Sequence, residues 1–201
     1  MKNLLAAVAI CLCVITSSNA QDTIRMMNVK PIEYNNKLGF AASMISGYGI
    51  SYEYNASRQV TLELTASVYG SGGSGSSTSS SSTSDSYIMA TVGIEVQKNF
   101  FVSHDSRFYT LLGLGYWLNN NRYNYNSTYR DNSDYTAGLG LGWEFTFGKK
   151  IIFNLEAGYL YRDMNEKGTN DYYGGGSGLT PYTNHSYYLG FGGGIGLYYA
   201  F

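Results

Sequence analysis

Five glutamates, Glu53, Glu63, Glu95, Glu144 and Glu156, stand where chemistry is possible and where a charge is out of keeping with its neighbours. Each is flanked by apolar or aromatic residues: Tyr52 and Tyr54, Leu62 and Leu64, Ile94 and Val96, Trp143 and Phe145, Leu155 and Ala157. Two positions away on either side stand Ser, Thr, Asn, Gln or Gly. In an extended chain alternate residues share a face, so every one of these carboxylates belongs to a polar, small-residue face. All lie a few residues from a short polar turn, which gathers them at one end of the interior such faces would enclose. Arg107 has the same parity at the same level, and Arg162 has it near the opposite end. Carboxylates gathered in this way could hold a cation or gate a passage. They could equally be a packed polar core, because buried charges need partners and the same faces carry Tyr, Thr, Asn and Gln.

Other reactive residues are sparse. His104 falls in a short turn beside Asp105 and Ser106, and His185 stands next to Ser186. Adjacent residues of a strand point to opposite faces, so His185 and Ser186 make a poor catalytic pair even with Asp163 or Asp171 as the acid. The two histidines lack ligand spacing. Cys11 and Cys13 are the only cysteines, and both lie in the first twenty residues. The remainder therefore has no disulfide, thiolate nucleophile or Cys-ligated metal. No catalytic residue, metal ligand or cofactor site is expected, and no enzymatic activity.

The elements that position the glutamates alternate with period two. Tyr135, Ala137, Leu139, Leu141, Trp143, Phe145 and Phe147 form one face of the clearest segment. Thr136, Gly138, Gly140, Gly142, Glu144 and Thr146 form the other. Similar segments run from Val60 to Val68, Ile88 to Gln97, Phe108 to Leu118, Ile151 to Arg162 and Tyr187 to Phe201. A glycine-rich face would look at water in a soluble sandwich. In a membrane barrel it looks into the lumen while the aromatic and aliphatic face meets lipid. Tyrosine suits the headgroup level, and the chain holds 21 Tyr and 25 Gly against 2 Pro. Its net charge of −1 leaves no basic face for nucleic acid. The pattern predicts an all-β fold, a closed antiparallel transmembrane barrel of eight strands. An open sheet edge in hydrocarbon would leave costly unpaired backbone groups.

Residues 1–20 read as a secretory signal peptide: Lys2, an apolar run from Leu4 to Ile15, and Ser18-Asn19-Ala20 before a mature start at Gln21. Residues 21–36 form a periplasmic N-terminal segment or first strand, and residues 37–201 the barrel. The links Asn55 to Gln59, Phe100 to Ser106 and Gly148 to Lys150 are short, whereas Gly70 to Asp85, Asn119 to Asp134 and Asp163 to His185 are long and polar. Such alternation puts short turns in the periplasm and long loops outside the cell. Between Leu38 and Tyr54 two arrangements are open. Gly47 and Gly49 could mark a tight link between two short strands, or one long strand could pair with Thr23 to Tyr34. The Ser/Gly/Thr stretch from Ser71 to Ser86 is expected to be flexible. Tyr and Asn on adaptable loops can contact glycans or proteins, which makes Tyr123, Tyr125, Tyr129, Arg130, Tyr172, Tyr173 and Tyr182 candidate binding residues.

The C-terminal residues Gly194-Ile195-Gly196-Leu197-Tyr198-Tyr199-Ala200-Phe201 resemble the terminal signal of bacterial outer-membrane proteins, an aromatic end with apolar residues at alternate positions. The resemblance implies recognition of Leu197, Tyr199 and Phe201 by the barrel assembly machinery. From Gly47-Tyr48-Gly49-Ile50-Ser51-Tyr52-Glu53-Tyr54 onward the chain resembles small outer-membrane β-barrel domain proteins of Bacteroidetes-type bacteria. Its layout is similar to the eight-stranded adhesion and opacity barrels. That likeness implies residence in the cell outer membrane, among lipid and lipopolysaccharide. It also implies a porin-like shape and surface loops with a structural or adhesive role toward an extracellular glycan or protein. Two further functions stay open: a narrow ion or small-solute channel using the acidic cluster, and a lipid-modifying enzyme. The bore opposes the first, since eight strands enclose little more than their own side chains, and the histidine geometry opposes the second.

Overall fold

The computed structural model describes residues 34–76, 82–103, 105–123, 128–171 and 179–201. Eight strands follow one another in chain order: β1 (Asn36–Ser43), β2 (Gly47–Asn55), β3 (Val60–Ser76), β4 (Ser82–Val102), β5 (Ser106–Tyr123), β6 (Thr128–Phe147), β7 (Ile151–Asp171) and β8 (Leu179–Ala200). Each pairs antiparallel with the next, and β1 closes the ring on β8 through Lys37↔Ala200 to Ser43↔Gly194. The alternation seen in sequence is the alternation of the wall. Phe40 and Phe191 are 70% and 82% exposed, whereas Glu53 and Gln97 are fully buried. A contiguous apolar outer face of this extent is a lipid-facing surface, not one for water.

The apolar outer face of β7 runs from Ile151 to Tyr161, and that of β8 from Tyr187 to Tyr199. Beyond them the outward positions turn polar, with Asp163, Asn165, Lys167, Thr183 and His185. About 9–11 residues of tilted strand cross a bilayer, so the strands continue well past the membrane as paired ribbons. This corrects the expectation of long loops. Ser71–Ser76 pairs with Ser82–Tyr87 as regular ladder rather than as a flexible tract. Most of the residues assigned to the other two links are likewise strand. Short hydroxyl side chains do not prevent pairing where two strands are already in register. At the opposite end β4 continues to Val102 with a register shift between Asn99 and Phe101, so that turn is shorter than the sequence suggests.

The first hairpin is the exception in length. Of the two arrangements open from sequence, the structure has two short strands, with Gly47 and Gly49 at φ 99° and 143°, a region that favours glycine. β1 pairs with β8 only as far as Gly194, and β2 with β3 only as far as Ala66. Above those points β3 and β8 are paired on one side each, and a groove of about 710 Å³ opens on the outer wall beside Phe40, Ile50, Val68, Val92, Tyr116 and Leu118.

The tip of that hairpin turns inward. Ile45 and Ser46 are 2% and 1% exposed, and Ile45 packs with Tyr109, Leu111 and Leu160 inside the barrel. Met44 donates its backbone N–H to the Gly193 carbonyl at 3.0 Å, Thr136 donates to the Ile45 carbonyl, and Thr91 to the Tyr48 carbonyl at 2.7 Å. The glycines of the inner face make this possible. A Cβ at Gly93 would fall 1.8 Å from the Ser46 carbonyl oxygen, and one at Gly115 2.5 Å from that of Ile45. At Gly113 and Gly138 it would strike the Ile45 side chain.

Gly93→Ala is therefore expected to destabilise the folded barrel by about 1–3 kcal/mol through overpacking against backbone. Gly73→Ala, with nothing near its added methyl, should be neutral. Urea unfolding in lipid vesicles measures both, and equal midpoints would contradict the inserted tip.

Candidate functional site

Register explains how the glutamates meet. Glu53 lies directly opposite Glu63, and Glu63 opposite Glu95, so three neighbouring strands bring carboxylates into one row. Like charges directly opposed across a ladder are unfavourable, and the row persists because its ends are treated differently. At the end of the short turns Glu53 and Glu144 share two cations. Lys37 Nζ reaches Glu53 Oε2 at 2.6 Å and Glu144 Oε1 at 2.8 Å. Arg107 donates through Nε to Glu144 Oε2 at 2.9 Å, and through Nη2 to Glu144 Oε1 and to Glu53 Oε2 at 3.3 Å. Its remaining contacts are Gln97 Oε1 at 2.7 Å, Asn99 Oδ1 at 3.1 Å and Thr61 Oγ1. The guanidinium also lies 4.5 Å from the Tyr109 ring centroid. Two cations and two anions, all buried, close this end.

Glu63, Glu95 and Glu156 sit together one level away, where three carboxylate oxygens lie within 4.8 Å of one another. Their partners are neutral. Glu63 accepts from Ser51 Oγ at 2.6 Å, and from Gln97 Nε2 and the Tyr198 hydroxyl at 2.8 Å. Glu156 accepts from the Tyr109 hydroxyl at 2.8 Å and Asn154 Nδ2 at 3.1 Å. Glu95 accepts from Gln97 Nε2 and Ser43 Oγ, both at 3.4 Å. Glycines again provide the room: a Cβ at Gly142 would overlap the Tyr109 ring, and one at Gly194 would come 2.7 Å from Glu156 Oε2.

The seven expected lumenal residues are thus divided. Glu53, Arg107 and Glu144 form the ion network, while Glu63, Glu95 and Glu156 form the second group. Arg162 joins neither. It lies beyond the Ile45 layer, donates through Nε to Asp134 Oδ2 at 3.1 Å and stacks over Trp117. Sequence reasoning missed Lys37, which was placed at a domain boundary rather than on a strand. It also missed Tyr109 and Tyr198, inward tyrosines whose hydroxyls reach the glutamates, and the tip residues Ile45 and Ser46.

The outer ribbons carry a different group. Arg130 Nη2 donates to Glu166 Oε2 at 3.0 Å, and the Tyr182 hydroxyl to Glu166 Oε1 at 2.6 Å, linking β6, β7 and β8. These hydrogen bonds hold the Glu166 carboxyl below its ordinary value and raise the Tyr182 phenol. Tyr129 is exposed beside them. These residues and Tyr123 stand in strands, not in the loops where the sequence pattern placed them. Tyr125, Tyr172 and Tyr173 lie outside the described residues, as does His104. His185 Nε2 meets Asp163 Oδ1 at 2.7 Å. Ser186 takes the opposite parity, so the described residues form no serine–histidine–acid arrangement. Leu197, Tyr199 and Phe201 are exposed on the outer wall.

A family model described as outer membrane protein beta-barrel domain matches residues 5–193. Among solved structures, the chain is similar to a major outer membrane protein from Thermus thermophilus. The two share 11% identity with a TM-score of 0.48, over 84% of this chain and 100% of that one. None of the curated proteins compared with the chain matches it.

Two outcomes follow from the geometry. Arg107→Met should cost about 3–5 kcal/mol, because it leaves Glu53 and Glu144 buried with one cation between them. Loss of that much stability in urea unfolding is the expected result. At the outer ribbons, Glu166 contributes stability above the ordinary carboxylate range that is lost as pH falls through its depressed value. Amide protection factors in β6–β8 beyond the membrane, taken relative to the intrinsic exchange rate at each pH, should therefore fall as the pH is lowered through that range, and Glu166→Gln should abolish that fall.

Proposed function

Because the chain belongs to the outer membrane protein beta-barrel domain family, we propose that it works at the cell surface as a closed barrel whose outer ribbons bind an extracellular glycan or protein. One observation carries this reading. The lumen is filled from the ion network to the Ile45 layer, while paired strands rise past the membrane, with Arg130 of β6 and Tyr182 of β8 joined through Glu166 of β7 and Tyr129 exposed on β6. A preorganised surface of aromatic, guanidinium and amide groups loses little conformational entropy on binding. It presents both stacking faces and hydrogen-bond donors.

Export through a signal peptide ending at Ala20, insertion by the assembly machinery reading Leu197, Tyr199 and Phe201, and a surrounding shell of lipid and lipopolysaccharide belong to the same proposal. So do its kinship with the small Bacteroidetes-type barrels and the absence of catalysis. The filled lumen supports binding or envelope reinforcement over solute passage.

The test combines two measurements on the barrel refolded in bilayers. Single-channel recording should show no steady conductance. Binding to a panel of immobilised surface oligosaccharides and envelope proteins should fall at least tenfold in the Tyr129→Ala, Arg130→Ala, Tyr182→Ala triple variant, with its unfolding midpoint kept. A steady conductance in the unaltered barrel would overturn the proposal.

A further inference from the structure

On the short-turn side of the Ile45 layer, the described lumen holds five buried or half-buried glutamates on β2, β3, β4, β6 and β7, and two buried cations, Lys37 and Arg107. The cations are engaged by Glu53 and Glu144. Among the described residues, no basic side chain forms an ion pair with Glu63, Glu95 or Glu156. When ionised, three carboxylates on three different strands, closed off by the ion network on one side and the Ile45 layer on the other, carry charge that no basic side chain among the described residues balances. Burying such charge is strongly unfavourable unless it is paired, coordinated to metal or neutralised.

A second observation points into the same space. Ser46, on the inserted hairpin tip, is 1% exposed, and its hydroxyl has no hydrogen-bond partner. Glu95 is the carboxyl group on which this hydroxyl acts. Ser43 Oγ approaches Glu95 Oε1 from the same tip at 3.4 Å. A buried hydroxyl costs free energy when unpaired, and here its oxygen faces a cluster of oxygens.

We propose that Glu63, Glu95 and Glu156, with the Ser46 hydroxyl, form a binding site for a hard divalent cation of calcium size, taken up as the hairpin tip closes over it. All the donors are oxygen, which selects calcium, magnesium or manganese over softer metals. Calcium–oxygen distances of about 2.3–2.6 Å allow ligands on opposite sides of the ion to stand about twice that far apart. The 4.8 Å spread of the three oxygens fits within this range without contraction. Glu63 and Glu156 are already oriented by Tyr198, Ser51, Tyr109 and Asn154, the arrangement of outer partners that holds metal-binding carboxylates in place. The absence of a histidine or cysteine motif is no obstacle, because the ligands come from separate strands and share no spacing in sequence. This site is independent of the outer ribbons and of any role in surface binding.

The full chain is expressed into the outer membrane, extracted, washed with chelator and analysed for calcium, magnesium and manganese by mass spectrometry. About one equivalent of divalent cation per folded barrel is expected, with less than a tenth of that in the Glu95→Gln, Glu156→Gln double variant. In a second measurement, terbium is present as the barrel refolds in lipid. Excitation of Tyr109 and Tyr198, which bond Glu156 and Glu63, should sensitise terbium luminescence, and excess calcium should suppress it. This second readout needs no variant. A folded barrel that holds no cation after refolding with each of the three metals and gives no tyrosine-sensitised terbium signal would overturn the proposal. The carboxylates would then be neutralised by protons.

Discussion

The inward turn of one short hairpin organises the rest of this barrel. A wall of eight strands encloses a space that its own side chains must fill, and here much of the filling is backbone. Met44, Ile45 and Ser46 enter where Gly93, Gly113, Gly115, Gly138, Gly158 and Gly192 leave the opposite wall bare. The glycine-rich inner face is thus a fitted surface rather than a weak one. It also sets the shape outside. A hairpin that turns in early cannot rise with its neighbours, so β3 and β8 each lose one partner above Ala66 and Gly194, and a groove opens in the outer wall.

Charge is arranged around the same obstruction. Near the short turns, two cations and two anions neutralise one another among amides and hydroxyls, a geometry in which removing one member exposes the others to an uncompensated low-dielectric environment. Farther in, against the tip, the remaining glutamates depend on neutral donors. Beyond the tip, Asp134 and Arg162 pair in a half-buried setting. Each layer is closed by different chemistry, which is why the lumen reads as a core in section rather than as a passage.

Much of this was legible in the residues. Period-two alternation identified six strands with the correct face inward, and the inward parity of all five glutamates held in the structure. Glycine at positions 47 and 49 made the tight first link one of two open arrangements. Other features were not legible for physical reasons. Lys37 lies at the start of a strand too short to show its period, so its partnership with Glu53 and Glu144 had no local signal. Polarity from Gly70, Asn119 and Asp163 onward resembles loop, because outside the membrane both faces of a ribbon meet water and alternation disappears while pairing continues. The inserted tip depends on contacts of Ile45 with β5, β6 and β7, information that no window of sequence contains. Parity alone grouped Arg162 with the glutamates, since alternation reports the face of a residue and not its height.

The proposed surface role and the closed lumen both rest on where Ile45 resides, and this can be measured directly. The only cysteines lie at positions 11 and 13, so a thiol placed at Ile45 can be followed with the unaltered chain as the blank. Ile45→Cys and Gly73→Cys barrels folded in lipid vesicles are exposed to a membrane-impermeant maleimide. Rapid labelling at position 73 with position 45 protected until the barrel is unfolded is the result predicted here. Labelling of both at similar rates would place the tip in solvent and contradict the account.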